Sequence, residues 1–285
     1  MKPARFGYHR PATIDEAVAL LAKLAPEDGR VIAGGQSLVP TMAFRMAQPP
    51  HLIDINGIAD LNRIDVDGDR VRIGAGVRHA AFEAAGAVPG VTGVWLGRAV
   101  RHIAHYPIRT RGTFCGSVVN ADPASEWCCA VAALDGHVVA RSAGGTRRIA
   151  ARDYFEGVMA TSRRDDELVT AVELPLLPEG TRCGFSEFSR RPGDFAIAMA
   201  MVSYRMEGDS IIEARIAIGG AEPFPRRIAQ AEVALNGQSP TAALFATVAD
   251  AAAAAVDPME DSQNTADYRR SLVRTMTLRA LETAA

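Results

Sequence analysis

The chain has 285 residues, 48% of them hydrophobic and 22% charged, an ordinary balance for a soluble globular protein and a length that favours two domains over one. A formal net charge of −2, with Lys and Arg scattered and basic pairs such as Arg147-Arg148 and Arg190-Arg191 isolated, offers no stripe for a phosphate backbone, so nucleic acid is not an expected partner. Met1 to Pro11 lacks the apolar core of a secretory signal, and the longest small-apolar run, Ala251 to Val256, is far short of a bilayer span; a cytoplasmic protein with no membrane span is expected.

From the N-terminus, Thr13-Ile14-Asp15-Glu16 has capping-box spacing and predicts a helix from Ile14 to about Leu24, stopped by Pro26 and Gly29. Val31-Ile32-Ala33 reads as a short buried strand broken by Gly34-Gly35, followed by a short helix around Leu38 to Met46 and a strand at Leu52 to Ile55. Together these make a small β-α-β-α-β lobe ending near Asn56. Ile64 to Val66 and Val71 to Ile73, joined by Asp67-Gly68-Asp69, predict a hairpin. Helical patterns follow at Ala80 to Ala85 and Val94 to Ala104, with Pro107 ending the second. After the polar, glycine-containing segment Thr110 to Ser125 come a helix from Glu126 to Leu134 and strands near His137 to Arg141, Thr146 to Ile149 and Leu168 to Leu174. Pro175 and Pro178 mark the expected domain boundary, giving residues 1–176, in lobes of about 1–56 and 57–176, and residues 177–285. Beyond it, Phe195 to Arg205 and Ile211 to Ile218 pattern as a hairpin, with helices near Arg226 to Leu235, Thr241 to Val256 and Thr265 to Thr283. An α+β protein results, its C-terminal domain a small antiparallel sheet with a helical bundle.

Two segments carry chemistry. In Val31-Ile32-Ala33-Gly34-Gly35-Gln36-Ser37-Leu38, a buried strand gives way to paired glycines at a helix start, where free backbone N–H groups and the helix terminus suit an anion and no Cβ obstructs it. Taken alone, the Gly-Gly pair equally fits a plain strand-to-helix turn. The run Arg111-Gly112-Thr113-Phe114-Cys115-Gly116-Ser117, continuing through Asp122 to Glu126, is less generic. Gly112 and Gly116 allow close approach of backbone to a ligand, Thr113 and Ser117 can donate to phosphate oxygens, and Asp122 or Glu126 can accept from ribose hydroxyls; alternatively Asp122 is a turn residue and Glu126 a helix N-terminal acid.

Other features carry less. Gly74-Ala75-Gly76-Val77-Arg78-His79 begins like a dinucleotide fingerprint but ends in His and reads as a strand end. His102 and His105 lack a third ligand, and Cys115, Cys128, Cys129 and Cys183 have no C-x-x-C spacing, so no metal site or disulfide framework is expected. Cys128-Cys129 reads as a pair of buried helix residues.

Ala33-Gly34-Gly35-Gln36-Ser37-Leu38, Ile108-Arg109-Thr110-Arg111-Gly112-Thr113-Phe114-Cys115-Gly116-Ser117 and Ala121-Asp122-Pro123-Ala124-Ser125-Glu126, in this order and spacing, resemble the FAD-binding medium subunit of the xanthine dehydrogenase and carbon monoxide dehydrogenase (molybdenum hydroxylase) family across essentially the whole chain. The resemblance implies a two-lobed FAD-binding domain of the vanillyl-alcohol oxidase (PCMH) type in residues 1–176, and the medium flavoprotein subunit's C-terminal domain in 177–285. It implies pyrophosphate contacts from Ala33 to Leu38 and from Thr113, Phe114, Cys115, Gly116 and Ser117, with Val31, Ile32 and Gly112 as further cofactor-binding residues, and adenosine-side acids at Asp122 and Glu126. Ile103 and Val169 align with apolar positions that touch the cofactor, though both equally suit a core. In Ser189 to Ala196, Phe195 is the aromatic expected to cover a face of the flavin ring, while Glu187 stands where the family has a lysine. The second loop departs from the usual Thr-Ile-Gly-Gly-Ser at Phe114 and Cys115, and the Cys115 thiol is expected to narrow the space beside the ligand. The same resemblance implies a large molybdenum-cofactor subunit and a small 2Fe-2S subunit as partners, with FAD in this chain as the electron carrier and no catalytic side chain or metal ligand of its own. The alternatives are a self-contained flavin oxidoreductase of the same fold and a non-catalytic nucleotide-binding assembly protein.

Overall fold

The computed structural model describes residues 2–284. Its first lobe is a parallel three-stranded sheet of β1 (Gly7–His9), β2 (Arg30–Ile32) and β3 (His51–Asp54), with β3 central, and its connections carry the helices α1 (Ile14–Leu24) and α2 (Leu38–Ala43). The predicted capping of α1 forms. Thr13 Oγ1 accepts from the Glu16 N–H at 3.2 Å, while the Glu16 carboxylate reaches back to the Ala12 N–H at 2.7 Å. That start sets Ala17, Val18, Leu21 and Leu24 on one buried face, where they share a core with Ile53.

The second lobe is a five-stranded antiparallel sheet in the order β4-β5-β10-β6-β7, made of β4 (Ile64–Asp67), β5 (Arg70–Gly74), β6 (His137–Ser142), β7 (Gly145–Ala150) and β10 (Leu168–Pro175). A small ribbon, β8 (Phe155–Gly157) and β9 (Ala160–Thr161), precedes β10. The helices α3 (Gly90–Ala99), α4 (Tyr106–Arg109), α5 (Phe114–Asn120) and α6 (Glu126–Ala133) lie between β5 and β6 in the chain. All eight residues of α6 are buried, which explains its near-absence of amphipathic pattern.

The C-terminal part is an antiparallel sheet, β11 (Arg182–Phe188), β12 (Ala198–Glu207), β13 (Ser210–Gly219) and β14 (Arg226–Arg227), with the helices α7 (Ala229–Leu235), α8 (Ala242–Ala255) and α9 (Ala266–Ala284). Strand alternation divides β12 and β13 between two cores. Met199, Met201 and Ala217 face the core that holds Trp127, whereas Ala198, Ala200, Val202, Ile216 and Ile218 face Val273, Met276 and Leu281. A sheet covered on both faces reads as a continuous apolar run, as Ala198-Met199-Ala200-Met201-Val202 does. Two further bonds fasten α3 to β11: Trp95 Nε1 donates to Gly184 O at 2.9 Å, and Arg98 Nη1 donates to Cys183 O at 2.7 Å.

Several expectations shift. The helix expected from Val94 to Ala104 begins at Gly90 and yields to a 3-10 turn after Ala99; Pro107 does not end it but lies in the first turn of α4, where its missing N–H costs no intrahelical bond. Ala80 to Ala85 is a 3-10 turn at His79–Glu83. Strand β11 was not anticipated, because its sequence Arg182-Cys183-Gly184-Phe185-Ser186-Glu187-Phe188 hides a buried glycine and a buried acid among apolar positions. The C-terminal hairpin starts at Ala198 rather than Phe195. Among the described residues no helix is long and apolar enough to cross a membrane.

Gly184 lies directly beneath α9. A Cβ there would stand 1.7 Å from Ala280 O, so Gly184→Ala must push the helix off the sheet. The expected loss is about 3 kcal/mol or more, read as a lowered midpoint in urea or thermal unfolding; a variant as stable as the parent would show that α9 is not seated as described.

Candidate functional site: a cleft between two glycine turns

A cleft of about 550 Å³ runs between the two N-terminal lobes, within the range of ordinary small-molecule sites. One wall is β2 and the turn after it, Val31, Ile32, Ala33, Gly34, Gly35, Gln36, Ser37 and Leu38; the other includes Gly112, Thr113, Cys115, Gly116 and Ser117 at the start of α5 and, further along, Leu168 and Val169. The turns meet backbone to backbone. A Cβ on Gly34 would fall 2.4 Å from Arg111 O and 2.6 Å from Gly112 Cα. Gly35 has φ +71°, the left-handed region that lets the chain turn from β2 into α2.

Side chains from a third segment bind the turns together. Asn56 Nδ2 donates to Ala33 O at 2.7 Å, and Arg78 Nη2 donates to Asn56 Oδ1 at 2.6 Å while its Nη1 bonds to Arg111 O. An isolated antiparallel bridge between Arg78 and Thr113, with His79 N–H to Gly112 O at 3.0 Å and Phe114 N–H to Val77 O at 3.0 Å, fixes the second turn to the strand end. The expected strand end is therefore the brace of the cleft, and Asn56, Arg78 and His79 were missed because their partners are distant in sequence.

What the cleft offers a ligand is a set of unpaired donors. Among the described residues the backbone N–H groups of Gly34 through Leu38, and those of Thr113 and Cys115, have no acceptor, in turns where nearly every other N–H is paired. Helices α2 and α5 have only six and seven residues, so the individual N–H groups, rather than a summed helix dipole, would hold an anion. The Gly116 N–H is taken by Thr113 Oγ1 at 3.0 Å, which caps α5 and leaves the Thr113 hydroxyl proton free to donate.

The glycines serve a different contact from the one their sequence suggests. The missing Cβ of Gly112 makes room for His79, whose Nε2 would be 2.4 Å away, and that of Gly116 makes room for Thr113 Oγ1 at 2.6 Å. Trp127 Nε1 donates to His79 Nδ1 at 2.8 Å; indole N–H can only donate, so the His79 proton resides on Nε2, beside Gly112. Burial, with Arg78 and Arg109 nearby, pushes the imidazole down to about 4, so it is neutral at pH 7. Cys115 turns its thiol into the core toward Ile73 O at 3.4 Å and does not narrow the cleft as expected.

Five expected contact residues lie outside the cleft wall. Phe114 is fully buried against Phe82 and Trp127. Ile103 belongs to the core, and its carbonyl accepts from Arg109. The Asp122 carboxylate closes a turn on the Ala124 N–H at 2.9 Å. Phe195 is 74% exposed on the loop before β12. Glu126, at the start of α6, is buried close to Glu187 of β11, whose Oε2 has no hydrogen-bond partner among the described residues. Burial and mutual repulsion raise Glu126 well above the usual carboxyl range, and burial raises Glu187 to about 7. Two adjacent buried carboxyls cannot both ionise, so the pair shares a proton. The basic side chain within 4 Å of the pair is His102, whose Nδ1 is 3.9 Å from Glu187 Oε1, and burial lowers the pKa of that imidazole and favours its neutral form.

Cleft and layers together define a two-lobed α+β binding protein with an anion cradle between its lobes and a C-terminal domain docked against the second. The chain belongs to the family described as the FAD binding domain in molybdopterin dehydrogenase, matched over residues 4–177, and residues 184–284 match the CO dehydrogenase flavoprotein C-terminal domain. It is 38% identical over 281 residues to the nicotine 6-hydroxylase medium subunit of Paenarthrobacter nicotinovorans, covering 99% of this chain and 98% of that one. Among solved structures it is similar to quinoline 2-oxidoreductase from Pseudomonas putida 86, with a TM-score of 0.94, 32% identity and coverage of 100% and 98%. Carbon monoxide dehydrogenase from Hydrogenophaga pseudoflava gives the same TM-score and coverages at 35% identity.

Gly34→Ala tests the meeting of the turns. Its Cβ collides with backbone rather than with a movable side chain, so the expected outcome is loss of most bound flavin together with a lower thermal midpoint. Full flavin occupancy in the variant would refute the cradle.

The carboxyl pair sets a pH dependence. Between the ordinary carboxyl value of 4.5 and about pH 7, folded Glu187 with Glu126 holds a proton that the unfolded chain releases; the pair's contribution is fully present in acid and is lost as pH rises through about 7. His79 acts oppositely, gaining stability from about pH 4 to its ordinary 6.5 because only the unfolded imidazole binds a proton there. The difference between Glu187→Gln and the parent isolates the pair. The variant should match the parent near pH 5 and exceed it at pH 8.5, by about 2–4 °C in midpoint for each kcal/mol relieved; a difference that does not change with pH refutes the shared proton.

Proposed function

We propose that the chain is the FAD-binding electron-transfer subunit of a molybdenum hydroxylase complex. In this reading substrate is hydroxylated at a molybdenum cofactor in a large subunit, a small 2Fe-2S subunit relays the electrons, and the FAD held here passes them to an external acceptor in the cytoplasm. The observation that carries the reading is the pair of facing glycine turns, with their unpaired N–H groups, in a chain of this family. The residues present fit FAD: the donors of Gly34 to Leu38, Thr113 and Cys115 would receive the pyrophosphate, and Val31, Ile32, Leu168 and Val169 supply apolar wall for a planar ring. FAD accepts electrons singly or in pairs, which suits it to stand between one-electron centres and a two-electron acceptor.

The chain's own contribution is rigidity and shape. Asn56 and Arg78 hold the turns, His79 stays uncharged beside Gly112, and Ile103, Phe114, Asp122 and Glu126 support the wall from behind. Phe195, exposed on its loop, is the aromatic available to cover the flavin ring. Acid or heat denaturation of the purified protein should release one FAD per chain into the supernatant. Recovery of FMN, or of flavin that stays with the precipitate, contradicts the reading. Tagged protein from its native host should bring along a molybdenum subunit and an iron-sulfur subunit. Robust substrate oxidation by the isolated chain, with no molybdenum or iron detectable, would favour a self-contained oxidoreductase; no flavin at all would favour the assembly protein.

A further inference from the structure

The brace between the two turns begins further back than Asn56. The central strand of the first lobe, β3, ends at Asp54, and the carboxylate of that residue lies at the root of the brace. Asp54 Oδ1 accepts from the Asn56 N–H at 2.8 Å and from Asn56 Nδ2 at 2.5 Å, while Tyr8, on the neighbouring strand β1, donates its hydroxyl to Asp54 Oδ2. The other end of the same amide, Asn56 Oδ1, accepts from Arg78 of the second lobe at 2.6 Å. An amide with its N–H end on an anion and its oxygen on a cation is polarised by both, so each bond strengthens the next. Arg78 depends on that relay. Burial, with Arg111 beside it, holds its guanidinium below the usual range, and the charge that opposes them is that of Asp54.

We propose that Asp54 is a positioning residue for the cradle: acting through Asn56 and Arg78, it holds the two glycine turns at the spacing a pyrophosphate bridges, and Tyr8 steadies it from the outer strand. The inference rests on the FAD reading above. Ala33 O, reached by Asn56 at 2.7 Å, belongs to the first turn, and Arg111 O, reached by Arg78, leads into the second, so the relay is a hydrogen-bonded route from one lobe to the other. Its anionic end sits on a strand paired on both sides, which gives it a rigid base. Asp54 does not line the cleft. Removing it therefore takes away no donor that a ligand uses; it loosens the spacing between donors, and the loss should follow the diphosphate whatever is attached to it.

The test uses the full chain stripped of flavin, titrated with FAD and with ADP. The parent is compared with Asp54→Ala, Asp54→Asn and Tyr8→Phe, and Asp54→Ala is also made in an Arg78→Met background. Asp54→Ala should weaken FAD and ADP by the same factor, about 10-fold, the scale of one charge-assisted hydrogen bond. Asp54→Asn keeps an acceptor for the Asn56 N–H groups and should recover part of that loss. Tyr8→Phe removes only an exposed hydroxyl; it should weaken both ligands a few-fold while the midpoint of the flavin-free protein stays parental. In the Arg78→Met background Asp54→Ala should cost clearly less than it does in the parent, because it acts through that residue. Fully additive losses, a loss for FAD that ADP does not share, or parental affinity in Asp54→Ala would each overturn the assignment. If Asp54→Ala does not fold, Asp54→Asn and Tyr8→Phe decide, and parental FAD affinity in both overturns it. A parent protein that binds no FAD overturns the functional reading itself, an outcome distinct from parental binding that Asp54 does not influence.

Discussion

The cleft exists because two polypeptide backbones touch. Gly34 and the Arg111-Gly112 peptide come from different lobes, and the distance between them leaves no place for a single methyl group. Such contact pins the lobes at one point and leaves the facing N–H groups pointing into the space beside it. Backbone contact alone has no direction, so Asn56 and Arg78 supply it, each bonding one turn and one another. These bonds are only partly buried, so the turns are fixed by being joined through a single linked pair of side chains.

Much of the fold was legible where a local signal decided the local structure. The Thr13 cap and the Gly68 turn placed α1 and the first hairpin nearly to the residue, and α8 and α9 lie within a residue of where helices were expected. Legibility failed where distant partners decide. Pro107 looked like a terminator because a proline cannot tell a reader whether it ends one helix or begins the next. The helix α5 went unassigned within the polar, glycine-containing segment because its small and polar residues have weak intrinsic preference; its stability comes from the Thr113 cap and from burial of Phe114 and Val118.

The same limit divides the candidate site. Gly34, Gly35, Gly112 and Gly116 stand out in the sequence as places where a Cβ is unwelcome, but the sequence cannot say what the Cβ would strike. For three of the four the obstacle is the protein itself: a facing peptide, His79 and Thr113. Glu126 was legible as an acid at a helix start, and its pairing with Glu187 was not, since that contact crosses from the second lobe to the C-terminal sheet. This chain places two acids close together in one buried region, where at least one of them holds a proton.

The doubly covered C-terminal sheet bears on how the chain emerges from the ribosome. Helix α6 has no solvent face in the finished protein, and part of its cover is Met199, Met201 and Ala217 from strands made much later. The N-terminal lobes therefore leave the exit tunnel with a greasy helix whose roof has not been translated. At about 5–20 residues per second the gap lasts several seconds. During that interval the nascent flavin domain has a sticky flank, and premature termination before β12 would leave that flank permanently uncovered.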